Sequence, residues 1–211
     1  MLEINPCAKM LPESAIQRVK RLSTTLLADA MAGAGAMDYR IKPITPGTRL
    51  IGTALTVNLR PGDNMALHKA IVFSKGYVLV ADHKMETTSA PWGDLMTRAA
   101  MAAGAIGTVV GGVVRDINDL RQLSFPIFAM GTVPNATSKS GPGEINVPIS
   151  CGGVAVQPGD LIVGDDDGVV VIKPEMLEQV LAAAENKAQQ EQKRIKEIEA
   201  GIIEPEWLRQ K

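Results

Sequence analysis

Two kinds of apolar periodicity alternate along the first two thirds of the chain. "PESAIQRVKRL" (12–22) places Ile16, Val19 and Leu22 at helical spacing, with Pro12 at the start, where a helix tolerates it. "STTLLADAMAGAG" (23–35) predicts a second short helix, capped by Ser23 or Thr24 and ended by glycines. A β-type stretch follows, "TRLIGTALTVNLRPGDN" (48–64), closed by a Pro-Gly-Asp turn. After it, "NMALHKAIVFS" predicts a helix, "GYVLVAD" a buried strand, "WGDLMTRAAMAAG" a helix and "AIGTVVGG" a strand. "RDINDLRQL" then predicts a helix and "FPIFAMG" a strand. Helices alternating with short apolar runs predict βα units layered on a largely parallel sheet.

From residue 141 the pattern changes. "GPGEINVPISCGGVAVQPGDLIVGDDDGVVVIKP" alternates short β-rich runs with Gly and Pro turns, which predicts a β-meander packed beside the first sheet. Its "GDDDG" lacks a full calcium-ligand series and is expected to be a tight turn. The tail is expected to be one long helix over 175–200, with Leu177, Leu181, Ala184, Ala188, Ile195 and Ile198 on one stripe. The position that would complete the stripe holds Glu191. So long and weakly apolar a helix predicts an arm that packs on a neighbouring subunit, hence a homo-oligomer. The expected division is a single α/β domain with N-terminal helices over 1–174 and the helical arm over 175–211.

Composition narrows the class. Of 211 residues 45% are hydrophobic and 3% aromatic, and the net charge is −1, so no basic field exists to hold a nucleic-acid backbone. The start lacks the pattern of a secretory signal, and no run approaches a membrane span, so a cytoplasmic protein is expected. Cys7 and Cys151 show no metal-ligand or redox spacing; two free thiols is the simpler expectation, with a disulfide between them left open.

The chemistry concentrates at two strand-to-helix junctions. In "GGVVRDINDLR", Arg115 and Asp116 follow a buried run and two glycines, at the carboxyl end of a strand where α/β sheets gather ligands. Taken alone the pair favours a helix cap, because Asp116 and Asp119 suit a helix N-terminus. Asp94, in "PWGDLMTRAA", begins another helix, whose free backbone N–H groups at Leu95 and Met96 would suit a small carboxylate. Twenty residues separate Asp94 from Arg115, one helix and one strand, which fits adjacent junctions facing one pocket.

Over roughly residues 20–185 the chain resembles the RraA-like family, which includes the class II 4-hydroxy-4-methyl-2-oxoglutarate and 4-carboxy-4-hydroxy-2-oxoadipate aldolases. The resemblance rests on "PGDNMALHKA", "WGDLMTRAAMAAGAIGTVVGGVVRD", the 141–172 segment, and an Asp followed after twenty residues by Arg-Asp. It implies a swivelling β/β/α-like fold, assembled as a trimer or hexamer. It further implies Mg²⁺ or Mn²⁺ on Asp116, the pyruvate carboxylate on backbone N–H groups around Gly93, Leu95 and Met96, and Arg115 on the oxygen across the breaking bond. Asp94 would hold metal-bound water, and Glu191 is the counterpart of a glutamate that a neighbouring subunit's arm supplies, with Glu197 and Glu199 lesser candidates. The implied activity is metal-dependent retro-aldol cleavage of an α-keto acid to pyruvate, with oxaloacetate decarboxylation by the same chemistry. The family's other branch regulates a ribonuclease and tends to lack the Arg-Asp pair. A quinone-precursor methyltransferase label, attached to some relatives, finds no glycine-rich nucleotide fingerprint here. His68 is expected to pack structurally, and His83 to lie in a loop near the pocket. Gly111–Gly112 departs from an Asp-Gly common in the family, which puts substrate choice in question.

Overall fold

A computed structural model describes residues 1–209. Strand β1 (Leu2–Ile4) precedes helices α1 (Glu13–Val19) and α2 (Thr24–Ala30). After the two-residue β2 (Lys42–Pro43) comes the alternating unit β3 (Leu50–Leu59), α3 (Met65–Ile71), β4 (Tyr77–Glu86), α4 (Asp94–Ala103), β5 (Gly107–Gly112), α5 (Ile117–Leu120) and β6 (Ile127–Ala129). Strands β3, β4, β5 and β6 pair in that order and in parallel, as the βα alternation predicts.

The β-rich remainder adjoins this sheet, as expected, and does so by pairing with it. Strand β7 (Gly143–Ile145) pairs with the end of β3, and β10 (Leu161–Asp165) with its beginning. Ten residues of β3 leave room for both, so one edge serves two antiparallel partners. Strand β11 (Gly168–Ile172) extends β10 across the tight turn that "GDDDG" predicts. Only β8 (Ile149–Cys151) and β9 (Val154–Val156) form a sheet of their own. They cover one face of the main sheet, where Ile149, Cys151 and Val156 pack with Val78, Val80, Val109 and Phe128. The other face buries Leu55, Leu79 and Val110 beneath α3, α4 and Trp92.

A third cluster seats α1 and α2 against β10 and β11 with the first half of α6 (Leu177–Glu199). Leu177, Val180, Leu181 and Ala184 are buried there, whereas Ile195 and Ile198 are about half exposed, at 46% and 47%. The tail helix thus spends its apolar stripe on its own chain for two turns and runs on uncovered. A final turn, α7 (Glu206–Arg209), follows it. No helix among the described residues is long and apolar enough to cross a membrane. Both cysteines are free: Cys7 is exposed, and burial pushes the Cys151 thiol up to about 12, which keeps it protonated and inert.

Candidate active site

The junction after β5 is not the helix the sequence predicts from residue 115. Val114 bridges both Trp92 and Thr132, and the Arg115 N–H donates to the Trp92 carbonyl at 3.0 Å, so the chain stays extended through Arg115. Asp116 then turns it in a left-handed conformation (φ 63°), and α5 runs for a single turn. Left-handed backbone is unfavourable for most side chains but tolerated by Asp, and its appearance here marks a position held by its surroundings.

Asp116 does not cap its own helix. Its Oδ2 accepts the Asp94 N–H at 3.0 Å, so this carboxylate caps α4, the neighbouring helix. A cap expected within one segment therefore ties two junctions together. Gly93 permits the approach: a Cβ there would collide with Asp116 Oδ2 and lie 3.0 Å from Arg115 Cγ. Gly104, left-handed at φ 82°, ends the same helix. The turn before α4 is fixed from within, because buried Trp92 donates to Thr97 Oγ1 at 2.8 Å, Thr97 donates to the Gly93 carbonyl at 2.9 Å, and the indole stacks on Phe125. Gly93→Ala is expected to cost about 1–3 kcal/mol, since overpacking must displace either the Arg115–Asp116 corner or the clamped turn. A denaturant midpoint equal to wild type would show that the approach is looser than this.

With the Asp94 N–H taken and the Thr97 N–H bonded to Gly93, the Leu95 and Met96 N–H groups find no acceptor among the described residues. Two orphan donors at the start of a ten-residue helix are of the kind that can receive an anion. The Asp94 side chain accepts Arg98 Nε at 2.9 Å on both oxygens. Arg115 Nε stands 3.6 Å from Asp116 Oδ2, too far for a hydrogen bond. Both side chains remain more than a third exposed, so each stays available to a ligand.

A polar wall from elsewhere in the chain joins the two junctions. A cavity of about 80 Å³ is lined by Gly93, Leu95, Met96, Arg115 and Asp116 and by a wall of Asn64, His68, Thr137 and Lys139. A second hollow of about 360 Å³ adjoins it at Arg115 and Asp116. Among the described residues five buried side-chain polar atoms lack any partner, and three of them, Asn64 Oδ1, His68 Nε2 and Thr137 Oγ1, belong to this wall. Buried polar groups are normally satisfied by protein or ordered water, so three orphans beside one cavity mark a place where water or a polar ligand completes them. His68, expected to be structural, is thus a cleft residue, and burial first, then Lys139, lowers its pKa and favours neutral imidazole. No local signal could have found it, because orphaning is a tertiary property. A larger hollow, near 730 Å³, lies away from these groups at the β1–β7 edge.

Other candidates fall elsewhere. Gly111 faces the opposite side of the sheet, where a Cβ would meet Cys151 Sγ at 3.1 Å. An acidic side chain at this position would press on β8. Glu191 is exposed on α6, and Glu197 engages Arg194 at 3.0 Å; Glu199 is also exposed. None of the three lines the cleft of its own chain.

His83 lies in β4 rather than a loop and is fully buried; its Nε2 accepts the Gly62 N–H at 3.1 Å. Burial lowers its pKa against the pull of Glu86 and Asp82. An imidazole that resists protonation when folded contributes stability above its unfolded pKa, about 6.5, and this is lost as pH falls below that value. His68 acts in the same direction. The denaturation midpoint is expected to drop between pH 7.5 and 5.5, by at most about 1.4 kcal/mol per pH unit for each group. His83→Gln should flatten the slope; an unchanged slope would assign it to other groups.

Among the described residues no three His, Cys, Asp or Glu side chains converge as a metal cage. Asp116 alone nevertheless suits a hydrated divalent ion. Among the described residues no protein donor engages its Oδ1, the left-handed turn holds it at the cavity, and Mg²⁺ accepts a single carboxylate with water elsewhere.

The family model described as RraA-like, Aldolase/RraA, matches residues 24–171. A Halalkalibacterium halodurans protein named "Putative 4-hydroxy-4-methyl-2-oxoglutarate aldolase" is 42% identical over 189 residues, covering 89% of this chain and 90% of its own. The structure of Streptomyces coelicolor RraAS2, titled an unusual member of the RNase ES inhibitor RraA family, superposes with TM-score 0.80 at 27% identity, covering 88% of this chain and 97% of that one. The RNA-processing inhibitor RraA from Thermus thermophilis gives TM-score 0.65 at 30% identity, covering 71% and 92%. The two junctions lie inside the matched span, on the sheet these proteins share, and the chain belongs to the RraA-like family.

Proposed function

We propose that the chain is a divalent-metal-dependent carbon–carbon lyase that cleaves 4-hydroxy-4-methyl-2-oxoglutarate or a related α-keto acid to pyruvate. The observation that carries this reading is the cleft itself: two free helix N–H groups, Arg115, Asp116, Asn64, His68, Thr137 and Lys139 all line one cavity. Leu95 and Met96 N–H groups hold the carboxylate beside the keto group. Asp116 holds a Mg²⁺ or Mn²⁺ ion, which when bound supplies Lewis acidity at the keto oxygen. Arg115 hydrogen-bonds the hydroxyl oxygen on the far carbon and stabilises negative charge there as the proton leaves. The bond between the third and fourth carbons breaks, and its electrons pass to the pyruvate half, which takes up a proton. Lys139, with Asn64 and Thr137, receives the distal carboxylate and its neighbours. Oxaloacetate would lose carbon dioxide by the same flow of electrons.

Kinship with ribonuclease-inhibitor proteins supports a second reading, a protein-binding regulator. The enclosed cavity, lined by polar residues, favours a small ligand over a protein partner. The distal half of α6, with Ile195 and Ile198 uncovered, would pack on a second copy and bring Glu191 toward its cleft. A particle mass of one chain would contradict that assembly.

Incubating the protein with 4-hydroxy-4-methyl-2-oxoglutarate or oxaloacetate, with Mg²⁺ or with chelator, and measuring pyruvate tests the main proposal. Metal-dependent release from at least one substrate is expected. No release from either sinks it.

A further inference from the structure

We infer that Asp63 is a positioning residue that holds the polar wall of the cleft in place as one unit; its consequence for substrate rests on the lyase reading above. The wall is built from two distant segments, 64–68 at the start of α3 and 136–139. Asp63 stands where they meet and is 3% exposed. One of its oxygens, Oδ1, accepts the Met65 N–H at 2.9 Å and so fixes the α3 side. The other, Oδ2, accepts three donors from the far segment: the Ser138 hydroxyl at 2.6 Å and the Ser140 and Gly141 N–H groups at 2.8 Å each. Backbone bonds run alongside, from Ser138 N–H to the Gly62 carbonyl and from Asn64 N–H to the Ser138 carbonyl. A Cβ on Gly141 would lie 2.8 Å from Asp63 Cγ, so the loop is folded tightly over the carboxylate.

The residues that carry the wall flank these bonds. Thr137 and Lys139 lie on either side of Ser138, and Asn64 directly follows Asp63. Asp63 touches no part of the cavity itself, so it acts through them. An ionised carboxylate is what the geometry requires. An amide in its place offers one oxygen and turns an NH₂ toward N–H donors, leaving either Met65 or the Ser138–Gly141 loop unsatisfied.

The test compares Asp63→Asn with wild type in two readouts. The first, hydrogen exchange at the Ser140 and Gly141 amides, needs no activity: at least tenfold faster exchange is expected, and unchanged protection overturns the inference. The second is kinetic. KM for 4-hydroxy-4-methyl-2-oxoglutarate should rise tenfold or more with kcat altered less than threefold, and adding Lys139→Ala should raise KM little beyond Lys139→Ala alone. A fall in kcat at fixed KM, or KM increases that multiply, overturns the positioning role. Wild type that releases no pyruvate would refute the lyase reading, while exchange alone still decides whether Asp63 holds the wall. Ser138→Ala, which removes one donor and keeps the charge, should shift both readouts the same way to a smaller degree, and serves if Asp63→Asn does not fold.

Discussion

Asp116→Asn is expected to abolish metal-dependent pyruvate release while leaving the protein folded. The amide keeps an oxygen for the Asp94 N–H and tolerates the left-handed backbone at φ 63°, so the cap of α4 survives. What it loses is the charge that would hold the ion. Lewis-acid assistance contributes several kcal/mol, and each 1.4 kcal/mol is a factor of ten, so a loss of about a thousandfold or more follows. Asp116→Ala should lose activity equally and stability as well, by about 1–2 kcal/mol, because cap and backbone preference disappear together. The contrast between the two variants separates the carboxylate's two duties. If Asn retained activity, capping would be the only duty left.

Arg115→Lys should lower kcat by about a hundredfold to a thousandfold, the usual effect of removing one donor aimed at developing charge. Lysine carries the same charge on a flexible stem but lacks the planar fork, so charge alone does not restore the geometry. The fold should be indifferent to the change. The backbone bond from Arg115 N–H to Trp92 does not involve the side chain, and the nearest carboxylate is 3.6 Å away in a half-exposed pair. Such pairs contribute at most about 1 kcal/mol. Unfolding midpoints and single-turnover rates together check this; a stability loss matching the activity loss would recast Arg115 as structural.

The parallel sheet was legible because each of its strands is a buried apolar run set between amphipathic helices, a pattern local sequence carries directly. The double use of β3 was not legible. Nothing near residues 50–59 shows that β10 and β7 share one of its edges. Arg115, Asp116 and the free N–H groups of Leu95 and Met96 could be placed at adjacent strand ends from spacing alone. That Asp116 caps α4 instead of α5 could not, since a cap across 22 residues has no local signature. The polar wall stayed hidden for the same reason. Asn64, His68, Thr137 and Lys139 meet only because Asp63 joins two segments more than 70 residues apart.

The central claim is that Asp116 holds a divalent ion in a keto-acid site, and a Mn²⁺ titration followed by electron paramagnetic resonance tests it most directly. Wild type and Asp116→Asn would each be titrated with and without pyruvate. The account predicts one site per chain in wild type, tightened by pyruvate, and no such site in the variant. Equal Mn²⁺ binding by the two proteins, or none by wild type, would contradict it.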